Sequence, residues 1–128
     1  MAHLTYEYTA NLGDDANVAE LLLKSNRVLI AQYGVFPIGG IRSRAIRLDD
    51  WCMADGEADY AFVHGTLKIG AGRSADEKSI ACKALFSMVK DHFAGLYSRR
   101  YLALSLELYE FEEAGTWKHN NVHARFRK

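Results

Sequence analysis

Residues 59–69, DYAFVHGTLKI, run apolar almost without alternation over the length of a long strand. A strand with one wet face alternates apolar and polar residues, and one covered on both faces does not. The segment therefore predicts a strand inside a layered fold, with something packed above and below it. One cover follows directly. Ser74 and Glu77 form a Ser-x-x-Glu capping box, which starts a helix just after Arg73. Ile80, Ala84, Leu85, Met88, His92, Phe93 and Leu96 continue it at helical spacing. YLALSLELYEF, residues 101–111, then puts Leu102, Leu104, Leu106 and Leu108 on one face of another strand.

The same order occurs earlier in the chain. HLTYEYT, residues 3–9, alternates Leu4, Tyr6 and Tyr8 with His3, Thr5 and Glu7, which is strand periodicity. Asn11 to Asp15 supply turn chemistry, and Val18, Leu21, Leu22, Ser25, Val28 and Leu29 share a helical face with Gly34 as its stop. GIRSRAIRLD, residues 40–49, reads as a strand with Arg42, Arg44 and Ile46 on one side. The fold class is thus α/β (α+β), one domain over 1–128 built from two β-α-β halves, about 1–50 and 58–111, with a polar, His-rich tail at 112–128. The halves repeat at an offset of roughly 57–60 residues. They predict a four-stranded mixed sheet with both helices on one face. No helix remains for the other face, so symmetric self-association with the sheets facing inward is expected. A monomer with a partly exposed sheet is the alternative.

Composition narrows the function. Sixteen basic and sixteen acidic side chains cancel, which argues against a nucleic-acid partner. The apolar runs fall short of a membrane span, and MAHLTYEY lacks the layout of a signal peptide. Cys52 and Cys82 have neither metal-site spacing nor the density of a disulfide scaffold, so a cytoplasmic protein with reduced thiols is expected.

The chemistry concentrates in arginines. LKIGAGRSADEK, residues 67–78, passes from strand through two glycines to a helix start, without the Lys-Ser/Thr ending of a phosphate loop. Free N–H groups at that start, with Arg73 beside them, suit a carboxylate. Equally, Gly70 and Gly72 could only shape the turn while Arg73 pairs with an acid. Arg42 and Arg44 raise the same choice between an acidic neighbour and a polyanionic small molecule. Trp51 and Met53 read as pocket or interface fillers, Cys82 as packing, and His64 as a hydrogen-bonded core histidine. His119 and His123 are spaced i, i+4 without an acidic or cysteine ligand nearby in sequence, so no metal is assigned.

Four blocks, VFPIGGIRSR, WCMADG, YAFVHGTLKIGAGRS and NNVHA, closely resemble the 5-carboxymethyl-2-hydroxymuconate isomerase family of the tautomerase superfamily, in the same order along essentially the whole chain. The resemblance implies a β-α-β, β-α-β subunit, a homotrimer with inward-facing sheets, and no cofactor. It implies an isomerase in the bacterial degradation of homoprotocatechuate, an aromatic compound, moving a proton across a conjugated enol tricarboxylate to give the 2-oxo isomer. Arg42 and Arg73 match the positions that hold substrate carboxylates and stabilise the enolate, with Arg44 as a nearby helper. The family's catalytic base is an N-terminal proline after the initiator methionine, and Ala2 stands in its place here. Removal of Met1 would leave the Ala2 amine as a primary-amine base. The loss of proline admits two alternatives: a weak or inactive relative that binds a carboxylate ligand, and an amine catalyst working through an imine.

Overall fold

The structure, a computed structural model, describes residues 1–127; Lys128, the last residue of the predicted tail, lies outside the described residues. Strand β1 (Ala2–Thr9) leads through irregular turns to helix α1 (Val18–Ile30), and strand β2 (Ile41–Leu48) follows. Strand β3 (Tyr60–Gly70), helix α2 (Ala75–His92), one further helical turn α3 (Ala94–Tyr97) and strand β4 (Tyr101–Phe111) repeat the order. The sheet runs β2-β1-β3-β4, with β1 parallel to β2, antiparallel to β3, and β3 parallel to β4. The mixed sheet and the two β-α-β units agree with the sequence expectation. Among the described residues, no helix is long and apolar enough to cross a membrane.

The core lies between the helices and one sheet face. Ala2, Leu4 and Tyr6 of β1 pair across the ladder with Ile69, Leu67 and Gly65 of β3 and are buried with them. Leu21, Ser25 and Leu29 of α1, and Ala81, Leu85 and Val89 of α2, close over this layer. Tyr6 lies across Gly65, where an added Cβ would stand 3.1 Å from its Cε1 and 3.0 Å from Leu106 Cδ1. The small residue makes room for the ring. Ser25 donates its hydroxyl to Leu21 O at 2.7 Å, so the Tyr6 hydroxyl, also at 2.7 Å, donates to Ser25 Oγ. Burial pushes the Tyr6 phenol up to about 12, with the hydrogen bond between Tyr6 and Ser25 acting the other way.

Three expectations change in detail. The α2 stripe is centred one residue later than the spacing suggested: Ala81 is buried, and Ile80 is 62% exposed. Helix α1 ends at Ile30, and Gly34 sits beyond it at a φ of +84°. Strand β3 is buried on the helix side only, alternating strictly between buried and half-buried from Tyr60 to Leu67. Its other face carries Phe62, His64, Thr66 and Lys68, beside Thr5 and Glu7 of β1 and Ser105, Glu107 and Tyr109 of β4. That open face is a polar surface. His64 is accordingly on the open face, hydrogen-bonded to Ser105 Oγ at 2.7 Å and to Glu107 Oε1 at 3.0 Å. The helix start after Arg73 matches expectation: Ser74 N donates to Glu77 Oε1 at 2.9 Å, and Glu77 N donates to Ser74 Oγ at 3.1 Å.

Replacing Tyr6 by Phe removes one buried hydrogen bond and leaves Ser25 bonded to Leu21. The expected loss is about 1 kcal/mol of unfolding free energy, read from chemical denaturation.

Candidate active site

Register brings the site together. Ala2 is paired with Ile41 on one side and Ile69 on the other, so the chain's amino end lies mid-sheet at the edge of the strands. Arg42 is one residue past Ile41, and the turn carrying Arg73 begins just past Ile69. Two arginines from different halves are thereby drawn to the same amino group. Met1, His3 and Arg42 line a cavity of about 480 Å³, whose other wall is Thr116, Trp117, Lys118, His119, Asn120 and His123 of the tail.

The electrostatics of that amino group are distinctive. Burial first, then the charges of Arg73 and Lys118 and, more weakly, Arg42, hold the Met1 α-amino group below its usual 8.0; Glu113 pulls the other way. His3 is held below its usual 6.5 by burial first, then by Arg42, Arg44, the amino terminus and Lys68. It is therefore neutral at pH 7, and its Nδ1 accepts from Arg44 Nη1 at 3.4 Å. This leaves the ring proton on Nε2.

Arg73 resolves one of the alternatives left by the sequence. Its Nε donates to Val35 O at 2.8 Å and its Nη1 to Gly70 O at 3.0 Å, with the guanidinium 4.7 Å from the centre of the buried Phe36 ring. It pairs with carbonyls and a ring rather than an acid. Among the described residues, none of Arg42, Arg44 and Arg73 has a carboxylate at ion-pair distance, although seven other pairs form. The charge of these three guanidinium groups is left unneutralised by the described pairs. The helix start itself is a poorer anion seat than the sequence suggested, because the capping box uses its Ser74 and Glu77 N–H groups internally.

GGIRSR has a second use that the sequence did not reveal. A Cβ on Gly39 would lie 2.8 Å from the backbone N and Cα of His123, closer than real Cβ atoms come. The tail docks there: Asn120 Nδ2 donates to Gly39 O at 2.8 Å, and Val122 N donates to Asn120 Oδ1 at 2.8 Å. So His119 and His123, weighed only as metal ligands, line the amine cavity instead, and Trp117 and Lys118 come with them. Trp51 and Met53 line a separate cavity of about 230 Å³ with Asn11 and Tyr60, in keeping with a filling role. Cys82 is half-buried, and burial pushes its thiol up, as for a packing residue.

Comparison with known proteins adds to this geometry. A sequence model of 5-carboxymethyl-2-hydroxymuconate isomerase matches residues 2–126. The chain is 47% identical over 127 residues to a 5-carboxymethyl-2-hydroxymuconate Delta-isomerase of Escherichia coli, covering 99% of this chain and 100% of the relative. The chain belongs to the 5-carboxymethyl-2-hydroxymuconate isomerase family. The crystal structure of a family member from Deinococcus radiodurans R1 superposes with a TM-score of 0.95 at 52% identity, covering 99% of this chain and 95% of that one. A further 5-carboxymethyl-2-hydroxymuconate delta-isomerase structure, at 26% identity, gives 0.92 over 100% of this chain and 94% of that one. The chain is an isomerase of tautomerase-like fold.

Tail docking is testable at Gly39. Gly39→Ala forces the His123 backbone outward, and the tail from Glu112 onward should become the first site of proteolysis, cut at least about tenfold faster than in the parent. The midpoint of global unfolding should move little, since the tail adds little to the core.

Proposed function

We propose that the chain moves a proton across the conjugated dienol of an unsaturated 2-hydroxy di- or tricarboxylate of the 5-carboxymethyl-2-hydroxymuconate type, giving the 2-oxo isomer. The observation that carries this reading is the amine of depressed basicity ringed by Arg42, Arg73 and Lys118, the two guanidinium groups having no acid partner among the described residues. The working base is the Ala2 amine, exposed when Met1 is removed. Ala2 is 1% exposed with Met1 in place, one residue deeper in the field of Arg73, Lys118 and Arg42 that lowers the Met1 amine. Those cations act in the same direction on the amine that removal of Met1 leaves. Met1 packs against Gly40, so its removal opens that volume to substrate.

The proton balance is simple. The neutral amine takes the proton of the 2-hydroxyl, the C–O bond becomes C=O, the double bonds shift along the chain, and the remote carbon takes a proton back from the ammonium. Arg73 stabilises the charge that develops on the enolate, and its carbonyl and ring contacts hold it ready for that role. Arg42 holds a carboxylate on the open side of the sheet. Arg44, two residues further and steered by His3, assists. A small carboxylate is the partner, and the route calls for no cofactor.

The assembly we propose is a homotrimer with the polar sheet faces inward. The exposed edge of the sheet supports self-association: α2 and β4 flank an apolar groove of about 610 Å³ lined by Phe86, Leu102 and Leu104, among others. Light scattering on purified protein should give three chains. A primary amine also supports a second reading, because it has the two hydrogens that imine formation needs. Borohydride trapping with substrate separates the two, since proton transfer alone leaves no covalent adduct.

The deciding assay is ketonisation of 5-carboxymethyl-2-hydroxymuconate followed by its ultraviolet absorbance, with protein shown by intact mass to start at Ala2. Turnover far above buffer supports the reading; buffer-level rates from correctly processed, assembled protein overturn the Ala2 base. Arg42→Ala and Arg73→Ala should each lower kcat/KM by about 10²–10³ with the fold intact by circular dichroism. The base must be unprotonated, so the rate should rise with pH through a value below 8.0 and then level. In Arg73→Ala the removed cation lets the amine keep its proton longer, and the rise should move to higher pH.

A further inference from the structure

One wall of the amine cavity is tail, and its cation, Lys118, acts on the amine but is given no substrate group to bind in the reaction as written. Lys118 Nζ lies 3.2 Å from Glu113 Oε2 and 3.5 Å from Oε1. Both side chains are well exposed, at 46% and 63%. Pairs this exposed contribute little to stability and change partners at little cost. The backbone that carries Lys118 is nevertheless held at the cavity, because two residues on Asn120 is bonded to Gly39 O. Trp117 beside it is 87% exposed, an indole face with nothing yet to cover.

We propose that Lys118 is a specificity-determining residue that binds the carboxylate on the side arm of a tricarboxylate substrate, and that Glu113 holds that position until the substrate arrives. This rests on the isomerase reading of the same cavity. Arg42 and Arg73 suffice for the two carboxylates of a linear dienol diacid. A third carboxylate, on a branching carboxymethyl arm, needs a cation off the sheet or must stay in water. Arg44 is engaged by His3 on the open face, whereas Lys118 stands in the opposite wall, among the cavity's lining residues. A lysine suits an arm that rotates, since its flexible stem carries a point charge with three donors. Its charge acts on the amine together with that of Arg73, and Glu113 is the carboxylate set against them. A bound carboxylate that displaced Glu113 would occupy the same electrostatic position.

The test compares Lys118→Met, Lys118→Arg and Glu113→Gln, all starting at Ala2, on 5-carboxymethyl-2-hydroxymuconate and on 2-hydroxymuconate, the same dienol without the arm. Because Lys118 also acts on the amine, each variant is assayed above the rise in its own pH profile. Lys118→Met should raise the ratio of the tricarboxylate's KM to the diacid's KM about ten- to a hundredfold, whereas any change in the amine's basicity acts on both substrates alike. Lys118→Arg should recover most of the loss, and Glu113→Gln should lower the tricarboxylate KM. Equal losses on both substrates, or no loss on either, overturn the proposal. If the parent protein turns over neither substrate, the isomerase mechanism fails separately. Calorimetric binding of tricarballylate against glutarate then decides Lys118: a preference for the triacid that Lys118→Met abolishes supports the role, and no preference, or one that survives, overturns it.

Discussion

The rest of the structure depends on where β1 sits. It is the second strand of the sheet, paired on both sides along its length, and it begins at residue 2. An amino end is ordinarily left in water at the surface, because its charge is costly to bury. Here the pairing of Ala2 with both Ile41 and Ile69 leaves no such freedom. The amino group is drawn against the core edge, where burial lowers its basicity, and the residues following its two partners in the sheet are Arg42 and the Arg73 turn. One register sets the position of the amine, its proton affinity and its neighbours.

That arrangement carries an electrostatic cost that the described residues relieve only in part, through Glu113. Among the described residues, Arg42, Arg44 and Arg73 face the amine and His3 without a carboxylate partner, whereas Lys24, Arg47 and Lys78 elsewhere have found theirs. Arg73 is half-buried and is kept in place by two carbonyls and an aromatic face, contacts that orient a guanidinium without neutralising it. Unneutralised charge held in fixed geometry is poor for stability and well suited to stabilising an enolate. The same cations lower the amine's hold on its proton, so in the mechanism we propose one cluster addresses both ends of a proton transfer.

Much of this was legible beforehand, and the exceptions are instructive. The capping box at Ser74 and Glu77, the arginines sharing a face of β2, and the leucines of β4 are local patterns whose spacing is enforced by helix and strand geometry alone. Strand β3 misled because Tyr60, Phe62 and Thr66 read as interior residues, yet they share their face with His64 and Lys68, which hydrogen-bond or reach water. Ile80 misled because helical spacing shows a stripe but not its centre, which the crossing against the sheet places on Ala81. The tail was the largest omission. Lys118, Trp117 and Asn120 have no periodicity, and their meaning lies in contact with Gly39, 81 residues away from Asn120.

The sequence by itself determined the order of strands and helices, the two-half construction and the arginine-bearing elements, since each follows from periodicity and capping within a few residues. The resemblance of its motifs named the family. Only the tertiary structure decided that Arg73 is turned toward Val35 and Phe36 instead of an acid, that Gly39 is small to receive His123, and that Lys118 lines the same cavity as Met1. Those facts depend on segments far apart in the chain meeting at close range, and packing between segments, unlike periodicity within one, leaves no local mark on the sequence.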